Sequence, residues 1–425
     1  MIDDPACPPL VLSGSPTGEA PLELGERVTL YVCGITPYDA AHLGHAFTYS
    51  AFDTLVRFLR SRGHQVTYCQ NVTDVDDDVL ARAARNGEDY LELGRRETAA
   101  YLRDMDALNI ARPTHFPKAT QEIPSMIELA AQLVAAGNAY EVDGTLFFDV
   151  STFPSFGDLS GLDVAEQRTL LAERGGDPDD ARKRHPLDFV VWQRSAPGEP
   201  AWDSPWGRGR PGWHLECSAM SRRYLGTTLD LHGGGADLVY PHHESERAQS
   251  EAANQAPFAR RWLHTGMVRH QGEKMSKSLG NLVFVRDLLL DHEPAAIRLA
   301  LLGHHYRSAW EFDAEELKLA TERLESWRRA ALDAGGAGRL DAGGAGRLDA
   351  GGVGRLDAGR RVPEAVDAAL ADDLDTVGAL AAVDELAAAR EGAAVAAAAA
   401  VLGVILQRPP LSAGHVSVPR PDHLR

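Results

Sequence analysis

A strand, a loop and a helix succeed one another near the start of this chain, and together they admit few folds. In Arg27-Val-Thr-Leu-Tyr-Val-Cys33 the apolar residues Val28, Leu30 and Val32 recur at every second position, the period of a strand. From Phe52 the spacing changes. Phe52, Leu55, Val56 and Leu59 fall at i, i+3, i+4 and i+7, a helix that Gly63 stops before His64 to Cys69 returns to alternation. This order predicts two parallel strands joined by a right-handed crossover. In open parallel sheets ligands sit beyond the carboxyl ends of the strands, so chemistry is expected in the loop from Cys33 to His45.

Further along, residues 81–108 read as one long helical stretch and 122–136 as another, with a strand pair near 139–150. A polar, Gly-rich tract, Glu173-Arg-Gly-Gly-Asp-Pro178, leads to Pro186-Leu-Asp-Phe-Val-Val-Trp192. Trp213 to Cys217 starts a helix, Leu229 to Asp237 is a strand running into a Gly-rich turn, and Pro241 to Glu246 opens another helix. Beyond Asp313 the chain is mainly helical and Ala-rich, interrupted by a near-repeat of "AGGAGRLD" over 334–359 that reads as a flexible linker.

The formal charge is -18, which disfavours a large phosphate-backbone partner, because such binding needs clustered Lys and Arg. No apolar run is long enough to span a bilayer, and the opening residues MIDDPACPPL are acidic where a secretory signal is basic, so the chain is expected in the cytoplasm. The four cysteines, Cys7, Cys33, Cys69 and Cys217, lie far apart, which argues against a disulfide framework; Cys7 and Cys69 read as structural.

Cys33, Cys217 and His242 each stand at a strand end or helix start in different segments that an α/β sheet can bring together. Taken singly, each suits a buried structural role. Taken together they form a zinc ligand set with a position open for substrate, and Glu246, one helical turn after His242, is either a fourth ligand or a neighbour. A second constellation joins His42-Leu-Gly-His45 to Lys274-Met-Ser-Lys-Ser278. A helix N-terminus offers unpaired N–H groups to phosphate, and Gly44 is expected to let a nucleotide come close. Lys274 and Lys277, in the Gly-bounded loop from Gln271 to Gly280, suit a triphosphate whose charge grows during in-line attack. Gly233-Gly-Gly-Ala-Asp237 is expected to allow close backbone approach of a ribose or adenine, with Asp237 as acceptor.

With "HLGH" and "KMSKS" in this order, the chain resembles the class I aminoacyl-tRNA synthetase catalytic domain. "YVCGITPYDAAHLGH", "NVTDVDDD", "PLDFVVWQ", "GRPGWHLECSAMS" and "DLHGGGADLVYPHHESERAQSEA" are similar to its cysteine-activating branch. Two groups in that branch differ in acceptor: the cysteinyl-tRNA synthetases and the cysteine:glucosaminyl-inositol ligases of mycothiol biosynthesis. The chain looks like the second. Its Glu173 to Pro178 tract is similar to a ligase motif, Pro37 follows Thr36 and His45 follows Gly44 where the synthetases carry Val and Asn, and about 18 residues remain after Gln407, too few for an anticodon-reading domain.

The resemblance implies a doubly wound, Rossmann-like parallel sheet in 27–120 and 205–265. A segment 1–26 precedes it, an insertion 121–204 splits it, a loop region 266–312 follows, and a helical bundle occupies 313–425. It implies one Zn2+ per chain on Cys33, Cys217 and His242, and Mg2+ with ATP. Cys33, Gly34, Ile35, Thr36, Thr48, Asn71, Val72, Thr73, Trp213, Gly235, Ala236, Asp237 and Val268 would contact a cysteinyl-adenylate, and His42, His45, Lys274 and Lys277 would act on the phosphates. Glu173, Arg174, Gly175, Gly176, Asp177 and Pro178 are expected on the acceptor side. L-cysteine, ATP and glucosaminyl-inositol are the substrates so implied, for a monomer without nucleic-acid partner or membrane. A tRNA-charging enzyme and a catalytically silent nucleotide- or zinc-binding module are the other classes, and an intact "KMSKS" speaks against the silent one.

Overall fold

The computed structural model describes residues 8–14, 21–275, 279–333 and 361–408. Cys7, Lys277 and the Gly-rich repeat at 334–359 lie outside these residues. The alternating run is strand β1, Arg27–Ile35, and the helix after it, α1, spans Leu43–Ser61. Strand β2, Gln65–Val72, returns parallel to β1 with Leu30 opposite Tyr68. Much later come helix α2, Trp213–Leu225, strand β3, Leu229–Gly235, helix α3, Glu244–Asn254, and strand β4, Ala259–Thr265. The four strands form one parallel sheet in the order β2-β1-β3-β4.

Both faces of this sheet are covered, which is why β1 is apolar on each side. Val28, Leu30 and Val32 pack with α1 and the C-terminal helices, whereas Tyr31 and Cys33 pack with residues of α2, α3 and the helix Ile123–Ala135. The sheet is therefore doubly wound, as expected. Chain connections leave β1 and β3 toward opposite edges, which opens a crevice at their carboxyl ends.

Residues 139–211 carry a separate antiparallel sheet of Ala139–Val142, Thr145–Phe148, Phe189–Arg194 and Gly209–Pro211. The helical stretch expected over 81–108 is two helices, Asp77–Asn86 and Tyr90–Ala107. Gly87, at φ 68°, ends the first, and the Asp89 side chain caps the second by accepting from the Leu91 and Glu92 N–H groups. Helices Pro294–Leu302, Ala314–Asp333, Glu364–Ala371, Thr376–Ala388 and Gly392–Val401 pack on the α1 face. Among the described residues no helix is long and apolar enough to cross a membrane.

The sheet and these helices are joined through a buried ion network. Arg298, fully buried, donates to Asp53 Oδ2 at 2.5 Å, to the Leu402 carbonyl at 2.7 Å and to the Leu108 carbonyl at 3.1 Å. Arg57 Nε shares Asp53 Oδ2 at 2.8 Å, and the Ala111 N–H reaches Oδ1 at 2.9 Å. Burial works against the Asp53 carboxylate, but Arg57 and Arg298 outweigh it and hold its pKa below the ordinary carboxylate range.

Arg298→Met leaves Asp53 with one cationic partner fewer and two carbonyls without a donor. Denaturant unfolding is expected to show a loss of about 3 kcal/mol or more. Because the folded pKa of Asp53 is depressed, its contribution is complete above the unfolded value of about 3.9 and vanishes as pH falls through the folded one. The gap between wild type and Arg298→Met should therefore narrow in strong acid, and a pH-independent gap would assign the loss to packing.

Candidate metal and nucleotide site

Cys33 closes β1, Cys217 lies one turn into α2, and His242 and Glu246 straddle the start of α3. Three elements, with the turn that leads into α3, thus deliver four donors to the carboxyl end of β1, where the crevice opens. Cys33 Sγ lies 3.9 Å from Cys217 Sγ and 3.2 Å from Glu246 Oε1, which is 2.9 Å from His242 Nε2. All four donor atoms fall within 4.8 Å of one another, and all four residues are buried. A tetrahedron with zinc-like bonds of 2.0–2.3 Å has edges of about 3.3–3.8 Å, so these spacings suit one ion.

The electrostatics agree. Burial pushes the Cys33 thiol up, and neighbouring Cys217 pushes it further. Burial acts upward on Cys217 too, but the hydrogen bond from Cys33 and the charge of His242 bring it down to about 7. Burial opposes the charge of His242, yet Glu246 and Cys217 raise it to about 10, and His242 with His232 holds Glu246 well below the carboxylate range. Three acidic donors around one imidazole form a buried site that a dication would neutralise. This cluster could hold a metal, and Glu246 belongs to it.

The site reaches further than the sequence reading. Glu246 Oε2 lies 3.1 Å from His232 Nε2, His214 Nδ1 lies 2.9 Å from His242 Nδ1, and His243 Nδ1 lies 2.8 Å from His264 Nε2. Burial pushes His214 and His243 down and His264 to about 3, so these rings stay neutral. Only the number of histidines in "WHLEC", "DLHGGG", "PHHE" and "WLHT" hinted at this array. Trp213 stacks on His242 with ring centroids 4.1 Å apart and walls the cluster.

His42 caps α1, its Nδ1 accepting from the Gly44 N–H at 3.1 Å, and its ring stacks on His45 at 4.0 Å. A Cβ on Gly44 would meet the His42 ring at 2.9 Å, so Gly44 makes room for His42. In the glycine run, a Cβ on Gly233 would strike Phe52 at 2.2 Å, and one on Gly234 would meet Leu238 at 2.9 Å and His243 at 3.1 Å. Asn71 Oδ1 accepts from the Gly34 N–H at 2.8 Å and Asn71 Nδ2 donates to Thr73 Oγ1 at 3.1 Å, while the Thr73 N–H donates to the Ile35 carbonyl at 2.9 Å. These contacts fix the ends of β1 and β2, with Val72 buried between Asn71 and Thr73, and Thr36 follows Ile35. Thr48 Oγ1 and Thr265 Oγ1 lie 2.7 Å apart.

Lys274 Nζ pairs with Asp237 Oδ2 at 3.2 Å, joining the short strand Glu273–Lys274, antiparallel to Val268–His270, to the turn Ala236–Leu238 that follows Gly235. Val268 itself is buried, and its carbonyl accepts from the Met275 N–H at 3.4 Å. Of the tract 173–178, Arg174 donates to the carbonyls of Asp237 and Tyr240, while Glu173, Gly175 and Asp177 are exposed.

Comparison with known proteins fits this architecture. Residues 21–322 match the family described as tRNA synthetases class I (C) catalytic domain. The chain is 49% identical over 382 residues to the L-cysteine:1D-myo-inositol 2-amino-2-deoxy-alpha-D-glucopyranoside ligase of Parafrankia sp. (strain EAN1pec), covering 89% of this chain and 81% of the relative. It is 52% identical over 331 residues to the ligase of the same name from Thermomonospora curvata, covering 77% and 80%. The fold is similar to Mycobacterium tuberculosis methionyl-tRNA synthetase in complex with methionyl-adenylate, with a TM-score of 0.60, 19% identity and 89% of each chain covered. By sequence and by fold, this chain belongs to the class I, cysteine-type family of tRNA synthetase catalytic domains, among its L-cysteine:1D-myo-inositol 2-amino-2-deoxy-alpha-D-glucopyranoside ligases.

Proposed function

We propose that this protein uses ATP to join L-cysteine to the amine of glucosaminyl-inositol, the 1D-myo-inositol 2-amino-2-deoxy-alpha-D-glucopyranoside of its relatives' name, in mycothiol biosynthesis. The observation that carries this reading is the buried Cys33, Cys217, His242 and Glu246 cluster at the same strand ends as the His42-capped helix start. A cysteine carboxylate oxygen attacks the α-phosphorus of ATP and pyrophosphate leaves, giving cysteinyl-adenylate. The acceptor nitrogen then attacks the carbonyl carbon, the bond to AMP breaks, and the amine gives up a proton as the amide forms.

A single Zn2+ held by Cys33, Cys217 and His242, with Glu246 beside it, would keep a position for the thiolate of cysteine, whose thiol ordinarily has a pKa of about 8.5, and no serine hydroxyl offers an equal bond. Trp213 closes the side of that pocket. His42 and His45 at the start of α1 face the phosphates, and Lys274 with Lys277 meets the charge that grows on the leaving oxygens, with Mg2+ on the triphosphate. Gly34 to Thr36, Thr48, Asn71 to Thr73, Gly235 to Asp237 and Val268 frame the adenylate. We read the enzyme as a cytoplasmic monomer acting on small molecules alone.

Metal analysis of the purified protein should give about one zinc per chain, and Cys217→Ala should lose it while circular dichroism stays unchanged. A zinc-free wild type that still activates cysteine would sink this account of thiol selection. Lys274→Ala should slow cysteine-dependent exchange of pyrophosphate into ATP by about 10²-fold, the scale of one lost transition-state donor; an unchanged rate would leave Lys274 as no more than the surface partner of Asp237. Finally, enzyme, cysteine and ATP should form AMP and a cysteinyl amide when given glucosaminyl-inositol, and no cysteinyl-tRNA when given bulk tRNA. Charging of the tRNA by the wild type would overturn the assignment of acceptor.

A further inference from the structure

The helix Val164–Glu173 ends in the tract that resembles a ligase motif, and the tract has a mechanical reading. Gly175, at φ 85°, takes the left-handed turn that ends the helix, and the Gly176 N–H returns to the Leu171 carbonyl at 2.9 Å. Gly176 lies so close that a Cβ there would meet Leu171 Cδ1 at 2.5 Å. Asp177 Oδ1 accepts from the Asp179 N–H at 2.9 Å and turns the chain away. What remains is Arg174, half-buried, with Nη1 donating to both the Asp237 and the Tyr240 carbonyl.

Those two carbonyls belong to an irregular segment. The turn Ala236–Leu238 runs into the turn Val239–His243, broken by extended backbone at Tyr240 (φ -135°, ψ 136°), so the segment cannot satisfy its own backbone as a regular helix does. A guanidinium supplies a strong charged donor there. The same inserted region braces the segment at two more points. The Ser160 N–H donates to Glu244 Oε2 at 2.9 Å, and Phe156 meets Tyr240 edge-on at 6.3 Å. At one end of the braced segment Asp237 faces Lys274; at the other His242 faces the metal cluster.

We propose that Arg174 is a positioning residue for cysteine activation: by gripping the Asp237 and Tyr240 carbonyls it fixes Asp237 and His242 relative to each other. The Glu173 to Pro178 tract then serves the adenylate and metal side instead of lining the acceptor pocket. For activation this rests on the proposed function; for metal retention it does not.

The test uses zinc-loaded Arg174→Ala and Arg174→Lys beside the wild type. Arg174→Ala should release its metal to a chelator about 10-fold faster, the lower end of what loss of an outer-shell partner does. Its pyrophosphate exchange and overall ligation should fall together with a raised KM for ATP, while KM for the amino sugar stays unchanged. Free guanidinium, below denaturing concentration, should restore Arg174→Ala, and Arg174→Lys should fall between. Wild-type metal retention and exchange with a raised KM for the amino sugar would instead place Arg174 in the acceptor pocket and overturn the proposal. So would a lowered Tm without guanidinium rescue, which would make Arg174 part of folding only. If the wild type itself fails to exchange pyrophosphate, the reading of function falls, and metal release still decides on Arg174.

Discussion

Cys33, Cys217 and Glu246 crowd three acidic donors against one imidazole in a buried volume, and the rest of the chain is arranged so that they can meet. Without a neutralising cation such a cluster is costly. Parallel sheets offer one place where it can be assembled with access from outside, the gap where neighbouring strands send their connections to opposite edges. Here that gap lies between β1 and β3. Cys33 comes from the end of β1, Cys217 from α2 and Glu246 from α3, so no single local segment could build the site.

One residue step in β1 separates support from chemistry. Val32 joins the core formed with α1 and the C-terminal helices, and Cys33 joins the core on the opposite face with residues of α2 and α3. The first face is pinned through Asp53 and Arg298, fully within protein. On the second face, the inserted region supports the irregular Val239–His243 turn with side-chain contacts from Arg174 and Phe156, and Glu244 just after it with the Ser160 N–H. The candidate metal cluster is therefore backed by contacts from an element far from β1 in sequence.

The strand period of Val28, Leu30 and Val32 and the helical spacing of Phe52 to Leu59 were legible because burial selects residues by position alone. Cys33, Cys217 and His242 were legible because few side chains bind soft metals. Glu246 was open to two readings, since an acid one turn from a histidine has the right spacing whether or not it points inward. The break at Gly87 was hidden by good helix formers on either side, and it took a left-handed glycine and the Asp89 cap to make it. The glycines at 44, 233 and 234 were read as room for a nucleotide. They also make room for His42, Phe52, Leu238 and His243, which spacing along a chain cannot reveal. Arg174 was placed on the acceptor side by the resemblance of its tract to a ligase motif, and its carbonyl partners, more than 60 positions away, carry no sequence signal.

The two kinds of ion pair in this chain divide its labour. Asp53 and Arg298 are each about 1% exposed, and separating such a pair leaves buried charge short of a partner, at a cost of about 3–5 kcal/mol. Lys274 and Asp237 are 51% and 37% exposed, where water screens them and a pair is worth about 0–1 kcal/mol. A triphosphate, with several negative charges, can outcompete Asp237 for that ammonium at little cost, but nothing of ordinary affinity could draw Arg298 from Asp53. On the proposed function, Lys274 is the side chain that changes partners, and it is held weakly, against an Asp237 whose own backbone carbonyl accepts from Arg174. That role would draw on the contrast between a loose grip at the tip and a fixed anchor behind it.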